Sequence, residues 1–301
     1  MKRSMRESLT AYSYLIPAFI AITIVTVIPA IYNIYISFTN YGLYHYMDYS
    51  LIGLKNYAEI FSMQSPFFNV LGWTIIWTIV SSVLNVSVGL LIALLLNHPA
   101  LKERNLYRAL LIIPWALPGV LSIQMWHSML GADGLFNQIL GLVGMNSIKW
   151  LTEPIWARVS VIAVNVWLSF PYFMVVSMAA LKSIPTEVYE AAVTDGANKF
   201  QIFRRITLPL LRLILMPLFI AQLAFQFNNF NLIYLLTGGG PRESMGKFFG
   251  STDILVSYTF NLMREVQRYG LTAAYGVITF AMTVIIMVLS IKLMKGLKEE
   301  W

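Results

Sequence analysis

"EAAVTDGANKFQIFRRITLP" occupies residues 190–209, a charged, glycine-bearing interruption between two long apolar stretches. Read outward from its centre, it is two short helices joined at Gly196. Pro185 suits a first helical turn, where its missing N–H costs nothing, and Glu187 suits the positive end of the helix dipole. Val188, Ala191 and Ala192 recur at i, i+3 and i+4, giving a small-residue face that permits close approach. Gly196 is placed to end this helix in a left-handed conformation. Asn198, with Gln201 three residues on, has the spacing of a capping box, and Ile202, Phe203 and Ile206 line one face of the second helix. Pro209 and Pro217 follow and can bend the entry to the next apolar stretch. A helix–turn–helix at a membrane surface is the expectation. It serves either as an amphipathic hairpin seated on the bilayer or as a knob for a cytoplasmic partner.

The surrounding composition requires the membrane. Of 301 residues, 58% are hydrophobic and 12% charged, and the mean hydropathy is +0.68. A typical soluble domain carries about 25% charged residues, and a chain this apolar would expose aggregation-prone patches in water. There is no cysteine, hence no disulfide and no thiolate chemistry. His45, His98 and His127 are scattered without ligand spacing, so no metal site is expected.

A membrane-crossing helix needs about 20 mostly apolar residues. Six segments qualify: 13–36, 70–96, 109–129, 159–180, 213–236 and 271–291, all without Asp, Glu, Lys or Arg. The first follows Lys2, Arg3 and Arg6, but its apolar run is too long for a signal sequence and it reads as a retained anchor. Fourteen of the 21 Lys and Arg residues fall on the side holding both termini, 97–108 and 181–212. The other side holds Lys55, Lys149, Arg158, Arg242, Lys247, Arg264 and Arg268. The basic side is cytoplasmic by the positive-inside rule, which places both termini and the interrupting stretch inside. The net charge of +7 reflects this asymmetry and calls for no nucleic-acid partner.

The energy source is constrained as well. Ion-coupled transporters carry ionisable groups within the membrane, and the six segments have none. "TGGGPRESMGK" (237–247) superficially resembles a phosphate loop, but Pro241 and Phe248 break the pattern and the segment falls on the external side. Gln222, Gln226, Asn228, Asn229 and Asn231 are interleaved with Phe225, Phe227 and Phe230. Unpaired amides in lipid are costly, so these face other helices or a cavity. Two uses stay open: interhelical hydrogen bonds, or a sugar site in which amides meet hydroxyls and aromatic faces meet C–H surfaces.

Glu190-Ala191-Ala192, Gly196 and Ile206-Thr207-Leu208-Pro209 match E-A-A-x3-G-x9-I-x-L-P at every fixed position. This resembles the EAA loop of permease subunits of ATP-binding-cassette importers. Gly53–Tyr57 is similar to an external segment of the sugar-transporting branch, and "VNVWLSFPYFMVVSMAALKSIP" (164–185), "NNFNLIYLLTGGGP" (228–241) and "TDILVSYTF" (252–260) resemble the first permease subunit of maltose and maltodextrin importers, so that the likeness covers roughly residues 10–295. The extra N-terminal spans and large external domain of the enteric subunit have no counterpart in these residues. The resemblance implies an all-α membrane protein of six transmembrane helices with the type I importer permease fold. It divides into a first span with external segment (1–66), a transmembrane core (67–295) carrying the loop at 183–209, and a cytoplasmic tail (296–301). It implies that Glu190, Ala191, Ala192, Gly196, Ile206 and Pro209 serve ATPase coupling. It implies sugar contacts at Leu168, Ser169, Tyr172, Gln222, Phe225, Gln226 and Asn229, with Ser169 where the family has Gly and Gln226 where it has Asn. The implied partners are a homologous second permease, two ATPase subunits carrying ATP and magnesium, an external sugar-binding protein and an oligosaccharide such as a maltodextrin. The chain itself would bind no cofactor, catalyse no reaction and reside in a bacterial or archaeal cytoplasmic membrane. The competing expectations are a permease for another oligosaccharide or a glycerophosphodiester, and a stand-alone facilitator. A membrane-embedded enzyme would need a cluster of acids, histidines or a nucleophile, and the sequence offers none.

Overall fold

A computed structural model describes residues 5–98, 100–242 and 248–299, with side chains for 12–98, 100–242 and 248–292. Lys2, Arg3 and Lys247, the side chain of Arg6, part of the phosphate-loop look-alike and part of the 296–301 tail lie outside these residues. Among them the fold is helical, with one isolated bridge between Thr39 and Leu51. In chain order the helices are α1 (Met5–Ile22), α2 (Ile28–Ser37), α3 (Lys55–Ile60), α4 (Phe67–Leu96), α5 (Arg104–Ala116), α6 (Gly119–Met129) and α7 (Leu135–Leu142). There follow α8 (Pro154–Lys182), α9 (Thr186–Thr194), α10 (Lys199–Ile202), α11 (Leu208–Phe227), α12 (Phe230–Thr237), α13 (Leu255–Glu265) and α14 (Tyr269–Glu299).

Five helical stretches are long and apolar enough to cross a bilayer: Tyr12–Ser37, Phe67–Leu96, Pro154–Lys182, Lys199–Phe227 and Tyr269–Lys292. The α5–α6 pair makes a sixth if counted as one span bent by 92°. Two expected boundaries change. Residues 109–129 are not one helix, because Leu117 precedes Pro118 and adopts an extended conformation, ending α5. Nor are 213–236 one helix. The helix ends at Phe227, where the Asn228 amide donates to the Ala224 carbonyl at 3.0 Å and Asn229 leaves helical geometry. At its other end the same helix runs back to Lys199, so it carries Lys199, Arg204, Arg205 and Arg212. The α8 helix likewise extends past its apolar segment to include Arg158 and Lys182.

A shared device explains the uninterrupted passage through Pro209. A π-turn spans Phe203–Thr207, in which the Leu208 N–H reaches the Phe203 carbonyl. Another spans Thr23–Val27, with Ile28 N–H on the Thr23 carbonyl, just before Pro29. Proline clashes with the carbonyl four residues back; a widened turn moves that carbonyl aside. In both spans the π-turn ends two residues before the proline, so the helix continues through it.

The chain forms two compact units. The first comprises residues 1–65 and 259–280. In it the exit of the first span is stitched to the start of α14. The buried Asn56 amide donates to the carbonyls of Ser37 and Thr39 at 2.9 and 2.8 Å, and Arg268 grips Glu59 in a bidentate ion pair. The second comprises 66–258 and 281–301. Its centre is α4 against α8, with one apolar core around Trp73, Trp77, Val161, Val164 and Ile233. Another lies around Ala93, Met174, Met178, Leu211 and Leu215. Gly89 permits the close crossing: a Cβ there would lie 2.5 Å from the Phe173 Cβ and 2.8 Å from the Phe170 carbonyl oxygen. Gly89→Val is therefore expected to destabilise this unit by about 3 kcal/mol or more, since overpacking costs roughly 1–3 kcal/mol even where a core can relax. A lowered Tm of the purified protein checks this, with Gly72→Val, at a position open within 4 Å, as the control.

Candidate functional site

Along α8 the two cores leave a gap. Asn165, Leu168, Ser169 and Tyr172 fall at i, i+3, i+4 and i+7, one face of a helix, and that face looks into a cavity of about 490 Å³. The last turns of α11 supply Gln222 and Phe225, and Asn229 and Asn231 follow the helix break. The third wall is the break between α5 and α6, which contributes Pro114, Trp115, Leu117, Gly119 and Val120. None of the lining side chains is charged. Aromatic surface is open: Trp115 is 54% and Phe225 61% exposed. Tyr172 stands edge-on to the buried Phe173, with ring centres 5.1 Å apart.

Six of the seven residues expected to contact sugar thus line one cavity. Gln226 does not. It is fully buried behind the wall, inside a chain of amides. Its Nε2 donates to Asn165 Oδ1 at 3.1 Å, and its Oε1 accepts from Asn229 Nδ2 at 3.0 Å. Asn229 Nδ2 also reaches Asn165 Oδ1 at 3.3 Å, and Asn165 Nδ2 donates to Asn85 Oδ1 at 3.4 Å. The indole N–H of Trp77 donates to the Gln226 carbonyl at 2.9 Å. The amides therefore divide: some line the cavity, and others bond between helices and fix the first set. Sequence reasoning missed Asn165, although it stands three residues before Leu168 on the same face. It also missed Trp115, because an apolar run of spanning length hid the break that exposes it.

The 183–209 segment forms the expected hairpin. Gly196 has φ +80°. Its N–H reaches the Val193 carbonyl and the Ala197 N–H reaches the Ala192 carbonyl, both at 3.0 Å. This is the Schellman pattern that closes a helix C-terminus. The capping box is present in both directions: Asn198 Oδ1 accepts from Gln201 N–H at 2.9 Å, and Gln201 Oε1 from Asn198 N–H at 2.8 Å. Tyr189 Oη and Thr207 Oγ1, 3.3 Å apart, tie the two helices together. Ala192 is buried and Ile206 and Pro209 are half-buried, while Glu190, Ala191 and Gly196 are exposed. The hairpin is closed by hydrogen bonds at its turn, and its Glu190–Ala191 side is open.

Residues 85–297 match the family described as binding-protein-dependent transport system inner membrane component. The chain belongs to this family. As a member it is a multi-pass inner-membrane permease, a transport subunit and not an enzyme. It is 37% identical over 299 residues to the galactooligosaccharides transport system permease protein GanP of Bacillus subtilis, covering 96% of this chain and 71% of that one. It is 34% identical over 316 residues to the maltodextrin transport system permease protein MalC of Streptococcus pneumoniae, covering 100% and 72%. Identity to the maltose/maltodextrin permease protein MalF of Salmonella typhimurium is 43% over 255 residues, 80% of this chain and 48% of that longer one. In three dimensions the permease is similar to a chain of a bacterial alginate ABC transporter solved with a periplasmic protein. The TM-score is 0.80 at 22% identity, covering 95% and 94% of the two chains. The fold is that of a type I importer permease, whose methionine-transporter representative also aligns, with a TM-score of 0.54.

Proposed function

We propose that this permease forms half of the translocation pathway of an ATP-driven importer of neutral oligosaccharides, with maltodextrin as the preferred class. The observation that carries the reading is the uncharged cavity, where amides and open aromatic rings converge on one volume. Such a surface suits a polyol with apolar faces and gives an anionic solute no cationic partner, which disfavours a glycerophosphodiester. The relatives named for maltodextrin and for galactooligosaccharides support the same chemistry. Sugar contacts are assigned to Leu168, Ser169, Tyr172, Gln222, Phe225 and Asn229, with Gln226 behind them.

Energy enters through the 183–209 hairpin, which docks a cytoplasmic ATPase. Both termini are cytoplasmic, residues 1–66 form the first span and external segment, 67–295 the core and 296–301 the tail. The full assembly contains a homologous second permease, two ATPase subunits and an external binding protein. Six helices from one chain line only one side of a pathway, and the ATP and magnesium belong to the partner.

The test is uptake by the complex purified from native membranes and reconstituted into liposomes. ATP-dependent accumulation of labelled maltotriose is expected, exceeding that of galactotriose by about tenfold, the effect of one well-placed contact of about 1.4 kcal/mol. Faster uptake of galactotriose would reassign the sugar. Uptake by this chain alone, without ATP, would replace the importer with a facilitator.

A further inference from the structure

A groove of about 340 Å³ lies between α4 and α11, apart from the central cavity. The two helices run antiparallel: Trp77 meets Gln226 at one end, and Ala93 shares a core with Leu211 at the other. The groove follows Val83 to Leu90 on α4 and Phe219 back to Leu208 on α11. Its floor is closed by the buried Leu211 and Leu215, while Val83 and Leu208 stay 44% and 41% exposed. Eleven residue steps along α11 span about 16 Å at 1.5 Å each, which matches one leaflet of a hydrocarbon core of about 30 Å. The lining is apolar except for Ser87 and Arg212, and no acid lines it.

Arg212 makes this groove more than a seam between helices. It stands one turn into α11 from Leu208, on a helix apolar enough to cross a bilayer. Among the described residues it forms no ion pair and its side chain no hydrogen bond. A cation inside a membrane helix is costly without a partner, and a guanidinium fork fits the two free oxygens of a phosphodiester. Arg204 and Arg205, exposed in the π-turn that leads into the same helix, add to the positive field at this end. An apolar helix packed into the groove would leave Arg212 unpaired, whereas a phospholipid brings an anion and a hydrocarbon tail together. We infer that the α4–α11 groove is a site for one anionic phospholipid. Its phosphate would sit on Arg212 and one acyl chain would run along the groove toward Val83 and Phe219, in the leaflet on the side of the hairpin. The inference does not depend on the reading of the central cavity.

The test adds phospholipid to the delipidated complex in detergent and counts bound lipid by native mass spectrometry. The probes are dioleoyl phosphatidylglycerol and dioleoyl phosphatidylcholine, which share acyl chains and differ in net charge. The unmodified complex is expected to hold phosphatidylglycerol about fivefold more tightly, the attraction of one arginine to an anionic lipid. Arg212→Gln should remove this preference, and Arg212→Lys should keep most of it as a point charge. Ser87 is exposed in the groove, so Ser87→Phe fills the acyl path from α4 while leaving Arg212 in place, and it should weaken binding of both lipids. The Tm of the lipid-free complex should be the same in all three variants, because Arg212 and Ser87 are exposed. An undiminished preference in Arg212→Gln would overturn the site, as would equal affinity of the unmodified complex for the two lipids. Normal binding in Ser87→Phe would remove the acyl seat. Displacement of phosphatidylglycerol by inorganic phosphate would make Arg212 a free-phosphate contact and overturn the lipid assignment. A lowered Tm in Arg212→Gln, or loss of the second permease from Arg212→Gln or Ser87→Phe, would make the groove part of the fold or of a subunit interface and refute the proposal.

Discussion

Gly196→Pro is expected to abolish transport while leaving the permease in the membrane. At φ +80° the position lies far outside the range that proline allows, near −65°. Proline also removes the N–H that reaches the Val193 carbonyl, and with it half of the closing pattern of α9. The hairpin cannot keep its angle, so whatever grips α9 meets it in the wrong place. Gly196→Ala separates conformation from bulk. A Cβ at this position would meet nothing within 4 Å, so alanine bears only the left-handed penalty of about 1–2 kcal/mol, and most of the function should remain. Glu190→Ala tests the partner contact itself. The residue is exposed at the open side of α9, so its loss leaves the fold intact and should lower ATPase retention by about tenfold, the value of one charge-assisted hydrogen bond of about 1.5–3 kcal/mol discounted for partial exposure. The ratio of ATPase to permease in affinity-purified complex, together with uptake, reads all three variants. Retention and transport at normal levels in both Gly196→Pro and Glu190→Ala would sink the docking role.

The sequence made this hairpin legible because each of its signals is local. A proline just before the first turn, a glycine four residues past the small-residue face and an Asn–Gln capping pair act within four residues of their targets, so tertiary packing has little to overrule. The apolar segments were legible for a similar reason, since lipid demands continuous hydrophobicity. Their ends were not. The second helix of the loop was read as separate from the span that begins at 213, with a bend at Pro209, but one helix runs from Lys199 to Phe227 on a π-turn that relieves the clash at Pro209. The amides at 228–229 lay inside an apolar run and were read as spanned, yet Asn228 bonds back to Ala224 and the helix stops. Gln226 shows the limit for side chains. Residues 222, 225, 226 and 229 share one face by spacing, but a helix face is wide enough to meet both a cavity and a neighbouring helix. Only the positions of Asn165, Asn85 and Trp77, more than sixty residues away in sequence, decide that Gln226 turns inward.

That division between lining and supporting residues gives the sugar-site prediction its controls. The double variant Phe225→Ala, Asn229→Ala is expected to lower maltotriose uptake by roughly thirtyfold to a hundredfold. The aromatic face contributes about 0.5–1.5 kcal/mol and each hydrogen bond about 0.5–1.5 kcal/mol net, and a tenfold change corresponds to about 1.4 kcal/mol. The two substitutions differ in their side effects. Phe225 lines the cavity and is mostly exposed, so its removal takes away surface and little else. Asn229 also holds Gln226 and Asn165, so part of its effect would pass through the supporting amides. Gln226→Leu measures that part separately. It keeps the approximate volume but deprives Asn165 and Asn229 of a buried partner, which should cost about 1–3 kcal/mol of stability and lower the Tm of the complex, an effect that Phe225→Ala should not produce. Basal ATP hydrolysis should persist in the Phe225/Asn229 variant, because the hairpin bearing Glu190 is a separate element from the cavity wall. Labelled maltotriose uptake, ATPase activity and Tm on the same preparations decide the matter. Full uptake in the double variant would remove Phe225 and Asn229 from the substrate path. A fall in uptake matched by an equal fall in Tm for Phe225→Ala alone would recast that ring as packing.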